Sequence, residues 1–169
     1  MFGLTPRAYD RFRALYASLW SPTILDPSVL ELCRLRVATL LACETEARVR
    51  FVEAAEHGLT EAKISVLPHY GTSPLFSDLE RRCLAYVEQY VLDPHAIEDR
   101  DFGLLREHLS EQQIAALTLA AAMFDALTRF RLGLSVGPFH TAPSPPPARE
   151  YVRRDLTVVD PSGQGNGAS

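Results

Sequence analysis

The sequence predicts an all-α fold, a compact multi-helix domain of about six helices, and three observations predict it. Apolar residues recur at helical spacing through most of the first 137 residues, capping residues stand before these runs, and proline or glycine follows them. Residues 138–169 differ: Pro143, Pro145, Pro146, Pro147 and Pro161, with the closing SGQGNGAS, lack the periodicity needed to pack. The chain therefore divides into a helical domain at 1–137 and a largely irregular tail at 138–169, mostly disordered or an arm. At 169 residues, 47% of them hydrophobic, the chain is long enough for one domain with a substantial core.

Thr5 and Pro6 open the first helix, in which Tyr9, Phe12, Leu15, Tyr16, Leu19 and Trp20 form a stripe that Ser21, Pro22 and Thr23 end. The stripe covers the central helices or serves as an aromatic substrate wall. Asp26 and Pro27 start a second helix, running towards Ala42, whose surface is apolar almost all round. A third runs from Cys43 to the His57–Gly58 stop, and on a continuous helix Cys43, Glu46, Arg50 and His57 share one face. Thr60 caps a short helix from Glu61 to Leu67, closed by Pro68. Ser77 and Glu80 form a capping box for a helix through Val91, with Cys83 on its buried stripe. After Asp93 and Pro94 comes a short helix at Phe102 to Leu109. Ser110 and Gln113 then box the longest helix, which ends at Gly137 and Pro138. Within the tail, the island EYVRRDLTVVD is either a free end or an arm that adds to a neighbouring subunit.

Glu31 falls on the stripe of Arg34, which allows a structural ion pair, and Cys43 stands at a helix start, where backbone N–H groups and Arg50 favour a thiolate while Glu44 and Glu46 oppose it. Both also have bland readings, as a structural pair and as a small core residue. The spacing Glu31, eleven residues, Cys43, then positions 46 and 50, followed by HGLTEAKI, resembles the carboxymuconolactone decarboxylase family. That family includes the alkylhydroperoxidase D-like proteins, whose pattern is Glu-x11-Cys-x2-Cys-x3-His on two adjoining helices. The resemblance runs from Thr5 to Val136. It implies that Glu31 matches the relay carboxylate and Cys43 the first cysteine of the peroxidases. Glu46 stands where their second cysteine would be and Arg50 where their histidine would be, so the redox couple and half of the relay are replaced. The decarboxylase branch often lacks the cysteines, can carry a carboxylate at the place of Glu46 and usually keeps the histidine, so with Arg50 there the chain follows neither pattern in full.

Three functions follow. The leading one is a peroxidase-like, antioxidant oxidoreductase: Cys43 attacks a peroxide oxygen, Glu31 relays the thiol proton, Arg50 stabilises the thiolate, and an external thiol reductant recycles the enzyme. The alternative is an acid–base decarboxylase or isomerase in which Glu31 and Glu46 handle protons while Arg50 holds a small carboxylate or lactone. The third is a non-catalytic member that binds a small molecule.

The formal charge of −4 and the absence of a basic patch argue against nucleic acid. No apolar run has membrane-spanning length and no leader is evident, which gives a cytoplasmic expectation. Three cysteines without ligand spacing, and His69, His95, His108 and His140 in loops or at element ends, imply no cofactor and no metal. The family resemblance implies a homo-oligomer, trimer or hexamer, with sites near subunit contacts. The aromatic first helix and the apolar last one offer more apolar surface than one subunit readily covers. The protein is thus expected to run as a trimer or larger in light scattering, and a monomer at micromolar concentration would remove both this expectation and any shared site.

Overall fold

The computed structural model describes residues 6–133 and 149–160. Eight α-helices lie among them: α1 (Pro6–Leu19), α2 (Pro27–Leu40), α3 (Glu44–Arg48), α4 (Val52–Glu56), α5 (Glu61–Ser65), α6 (Asp78–Leu92), α7 (Asp99–Arg106) and α8 (Glu111–Gly133). Three short strands, β1 (Val49–Phe51), β2 (Glu150–Val152) and β3 (Val158–Val159), complete the architecture. Helix α2 is the axis, packed against α6 and α8 along its length and against α3 and α4 at one side. Its near-complete apolar surface is used accordingly: Leu30, Leu32, Cys33, Leu35, Val37 and Ala38 are all buried.

The capping residues act as the sequence predicts. Ser28 N–H donates to Asp26 Oδ1 at 2.8 Å, and the Ser77–Glu80 box closes with both of its bonds. Ser110 and Gln113 likewise bond reciprocally at the start of α8. The predicted end of α8 at Gly137, and the boundary between domain and tail, lie outside the described residues. Helix α1 lays Tyr16, Leu19 and Trp20 on the core, and Trp20 stacks on Phe51 with ring centroids 4.0 Å apart. Leu15, predicted on the same stripe, is instead 48% exposed.

Several helices are shorter or shifted relative to expectation. Helix α5 stops at Ser65 and a 3-10 turn at Leu67–His69 follows it, because Pro68 cannot donate to a continuing helix. Helix α7 begins at Asp99, ahead of Phe102, because Glu98 and Asp101 form a capping box there. Helix α2 ends at Leu40 short of Ala42, since Ala42 sits in the left-handed region at φ +53. Ala42 N–H donates to Thr39 O and Cys43 N–H to Ala38 O, the two bonds of a Schellman stop with alanine where glycine is usual.

The larger correction concerns the helix expected from Cys43 to Gly58. It is broken in the middle: Val49, Arg50 and Phe51 are extended, with α3 before them and α4 after. Strand β1 pairs in parallel with β2, Val49 against Glu150, Arg50 against Tyr151 and Phe51 against Val152, and β2 pairs antiparallel with β3. The EYVRRDLTVVD island of the tail therefore packs on β1 of its own chain. Cys43, Glu46, Arg50 and His57 do not share a helix face, because the break reorients everything after Arg48.

Ala42 is exposed, so its methyl contributes little burial, while a left-handed alanine costs roughly 1–2 kcal/mol that glycine avoids. Ala42→Gly is expected to raise stability by about 1 kcal/mol, with a melting point higher by about 2–4 °C. Urea denaturation checks this; an unchanged or lower midpoint at equal slope would contradict it.

Candidate functional site

The site grows from Glu31 on the second turn of α2. Its side chain is fully buried, with Arg34 one turn on and equally enclosed. Arg34 Nε donates to Glu31 Oε2 at 2.7 Å and Arg34 Nη2 to Glu31 Oε1 at 2.8 Å, a bidentate fork. The rest of the guanidinium reaches the chain after α2. Its Nη1 donates to the backbone oxygen of Glu46 at 2.9 Å and to Glu46 Oε2 at 3.1 Å, and its Nη2 to Val49 O at 2.7 Å. Phe51 N–H in turn donates to Glu31 Oε1 at 3.3 Å.

These bonds account for the broken helix. In a continuous helix Phe51 N–H would go to the carbonyl of Ala47. Here Glu31 accepts from Phe51, and the Ala47 carbonyl accepts from Arg50 Nη1 at 2.7 Å. The pair Glu31 and Arg34 therefore supplies partners that the backbone would otherwise lack. Burial pushes the Glu31 carboxyl up, opposed by Arg34 and by the Phe51 N–H. Arg34, with carboxylates on two sides, is held above its ordinary range despite its burial. The reading of Glu31 as a structural partner of Arg34 is thus realised in full.

Glu46 continues the network outward. Its Oε1 lies 2.6 Å from Arg131 Nε, near the end of α8, while Oε2 faces Arg34. Two carboxylates and two guanidiniums alternate in the order Glu31, Arg34, Glu46, Arg131. Only its outer end meets open space, a cavity of about 330 Å³ bordered by Glu46 and Arg131. Apart from Glu150 at the rim, the other walls are apolar and largely aromatic: Tyr9, Phe12 and Tyr16 from α1, Phe51 from β1, Leu127 and Phe130 from α8, and Val152, Leu156 and Val158 from the tail island. Burial, reinforced by Glu46 and Glu31 and offset by Arg34, pushes the Tyr16 phenol well above its ordinary range, so it presents a neutral hydroxyl.

Of the four residues predicted to form the site, the structure brings Glu31 and Glu46 together through Arg34. Cys43 is placed apart: it is the N-cap of α3, 4% exposed, and does not border the cavity. Arg50, expected beside Cys43, leaves the broken helix in a different direction. It pairs with Glu61 at 2.9 Å and bonds the carbonyls of Ala47 and Val49. Its expected position depended on an unbroken helical period. Arg34 was legible only as a partner of Glu31, and Arg131 was missed, since no spacing connects it to Glu46. Nothing in the local pattern singles it out, since Arg129 stands two residues before it on α8 and pairs there with Asp125.

Elsewhere, Cys33 and Cys83 are buried free thiols, both pushed up by burial. His108 lies 2.9 Å from Asp78 with Glu107 beside them, an exposed cluster in which the hydrogen bond from His108 is the main cause holding the Asp78 carboxyl below its usual range. No helix among the described residues is long and apolar enough to cross a membrane.

Removing one partner of a buried ion pair leaves the other charge unpaired, at a cost of about 3–5 kcal/mol. Arg34→Met strands Glu31 together with the carbonyls of Glu46 and Val49, and a loss in that range is expected in urea denaturation. Arg50→Met, whose carboxylate partner Glu61 is 41% exposed, is expected to cost much less. Equal losses would refute the central position given to Arg34.

Three comparisons bear on identity. The carboxymuconolactone decarboxylase family model matches residues 6–89, which takes in α1 to α5 and most of α6, and with them Glu31, Cys43 and Glu46. An uncharacterized Escherichia coli (strain K12) protein, YnjA, is 29% identical over 112 residues, covering 66% of this chain and 62% of that protein's length. The crystal structure of ATU0492 from Agrobacterium tumefaciens, a protein of unknown function whose name links it to the antioxidant defence protein AhpD, superposes with a TM-score of 0.62. It is 21% identical and the match covers 82% of this chain and 96% of that one, a likeness of fold. With this helical architecture, and with Glu31 and Cys43 at the family spacing, the chain belongs to the carboxymuconolactone decarboxylase family.

Proposed function

We propose that this family member carries out acid–base chemistry on a small, largely apolar carboxylate or lactone, decarboxylating or isomerising it in the cavity beside Glu46 and Arg131. The observation that carries the reading is the position of Glu46, whose carboxylate is the buried acid at the cavity wall and is held between two guanidiniums. Arg131 takes the role first considered for Arg50. Its guanidinium carries further N–H donors beside the Nε paired with Glu46, and these suit a substrate carboxylate or carbonyl oxygen. Glu46 accepts a proton from an acidic C–H and returns it to a neighbouring carbon, or, in a decarboxylation, relays a proton taken from solvent to the carbon that carbon dioxide leaves. Glu31 is not a proton carrier in this scheme: all of its bonding serves Arg34 and the Phe51 N–H.

A thiol peroxidase at Cys43 has less in its favour. Glu46 occupies the position of a resolving cysteine, Arg50 is engaged with Glu61, and Cys43 does not border the cavity. The antioxidant link in the name of the Agrobacterium protein belongs to that protein.

The test is a panel of small cyclic carboxylates and lactones in D2O, followed by NMR for deuterium incorporation or loss of carbon dioxide, with binding followed by calorimetry. Glu46→Gln is expected to abolish turnover while leaving binding within a few-fold. Arg131→Met is expected to weaken binding tenfold or more, the scale of a charged hydrogen bond of about 1.5–3 kcal/mol. Cys43→Ser is expected to change neither. Turnover that survives Glu46→Gln, or disappears in Cys43→Ser, would overturn the proposal in favour of the thiol.

A further inference from the structure

The cavity is closed on one side by a part of the chain beyond the span that matches the family model. Val152 and Val158, from β2 and β3, and Leu156, from the turn between them, face it, with Glu150 at the rim. This hairpin is fastened at several independent points. It continues the register of β1, Arg154 N–H donates to Glu53 Oε1 at 3.0 Å, and Arg13 Nε donates to the backbone oxygen of Asp155 at 2.7 Å.

The turn itself carries an informative strain. Leu156 has φ +65, a conformation that glycine or asparagine adopts far more readily than leucine. The turn is nonetheless fixed, by Leu156 N–H to Arg153 O at 2.8 Å, Arg153 N–H to Thr157 O at 2.9 Å, and Thr157 N–H to Asp155 Oδ1 at 3.0 Å. A leucine held in a glycine conformation points to a use for its side chain, and that side chain borders the cavity while packing on the core.

Size and charge then define what fits. An engineered cavity of roughly 150 Å³ accepts one benzene ring, and this one, at about 330 Å³, is about twice that. Among the described residues its wall carries one arginine, Arg131, against two carboxylates, Glu46 and Glu150, so a second anionic group on a ligand meets like charge.

We propose that the β2–β3 hairpin selects the substrate, with Leu156 as the limiting side chain that restricts the cavity to compounds of one or two rings bearing a single anionic group. This rests on the acid–base reading of the same cavity, and the experiment separates the two. Affinities of the full chain are measured by calorimetry for benzoate, 2-naphthoate, anthracene-9-carboxylate and naphthalene-2,6-dicarboxylate. The unaltered protein is expected to bind 2-naphthoate at least tenfold more tightly than the three-ring acid and the dicarboxylate. Leu156→Gly, which relieves the backbone and shortens the wall, is expected to reduce the preference over the three-ring acid to less than threefold with benzoate little changed. Val158→Ala, at a rim position that is 62% exposed and so safe for folding, is expected to move it in the same direction. If 2-naphthoate binds and Arg131→Met weakens it, but both hairpin variants keep the original size preference, the hairpin is not the selecting wall and the acid–base reading stands. If no acid binds, or Arg131→Met leaves affinity unchanged, the reading of the cavity fails and the selecting wall falls with it.

Discussion

The buried pair of Glu31 and Arg34 is the constraint on which the site depends. Ion pairs of this kind are poor sources of net stability, because the cost of removing both charges from water is comparable to what their attraction returns. Their value lies in position. Arg34 spends one nitrogen on each of two jobs: Nη1 ends α3 at the Glu46 carbonyl and Nη2 fixes the Val49 carbonyl, while Nε stays on Glu31. Glu31 completes the arrangement by accepting from Phe51 N–H, so one pair holds both edges of the gap between two short helices. Without it, the segment from Glu44 to Glu56 has every local reason to run on as one helix.

The consequence of that gap is the cavity. An extended Val49–Phe51 exposes a strand edge, and the edge is covered by β2, which the tail brings back to it. The same step turns Phe51 inward, where it stacks on Trp20 and lies 5.2 Å from the Arg34 guanidinium. Tyr16 and Phe124 extend the aromatic contacts around it. The buried charges, the break in the helix and the aromatic wall are therefore one arrangement. Glu46 belongs to it twice, through its carbonyl as the end of α3 and through its carboxylate as the acid that faces the cavity.

Much of the fold was legible because its signals are local. Asp26, Ser77 with Glu80, and Ser110 with Gln113 act within a few residues of themselves, and each caps the helix the sequence predicts. Glu31 and Arg34 were legible as a pair for the same reason, being one turn apart. The break at Val49 was not, since three residues carry too little pattern to outweigh the helical period on either side. Its causes are remote in sequence: Arg34, fifteen residues before Val49, and the Glu150–Val152 strand, about a hundred after it. Arg50 was assigned to the site by its place in the family pattern, and its position beside Cys43 by counting along a helix that does not exist there. Arg131 was invisible for the complementary reason, because its partner Glu46 lies on another element and nothing in the spacing of α8 points to it.

The substitution of glutamate for the second cysteine of the peroxidase pattern changes the kind of chemistry this scaffold suits. A dithiol passes electrons, and requires a partner sulfur within bonding reach. A carboxylate is suited to passing protons, and what matters is which cations hold it when a substrate arrives. On the proposed reading, an anionic substrate competes with Glu46 for Arg131, so the contact that orients the substrate also releases Glu46 Oε1 from one of its two cations. Oε2 stays fixed by Arg34 at 3.1 Å, which keeps the carboxylate in place while its outer oxygen turns to the substrate. The alternation of two carboxylates and two guanidiniums makes that exchange possible. A fifth charge entering from the cavity can pair only with Arg131, since Arg34 is already saturated by Glu31, Glu46 and two backbone carbonyls.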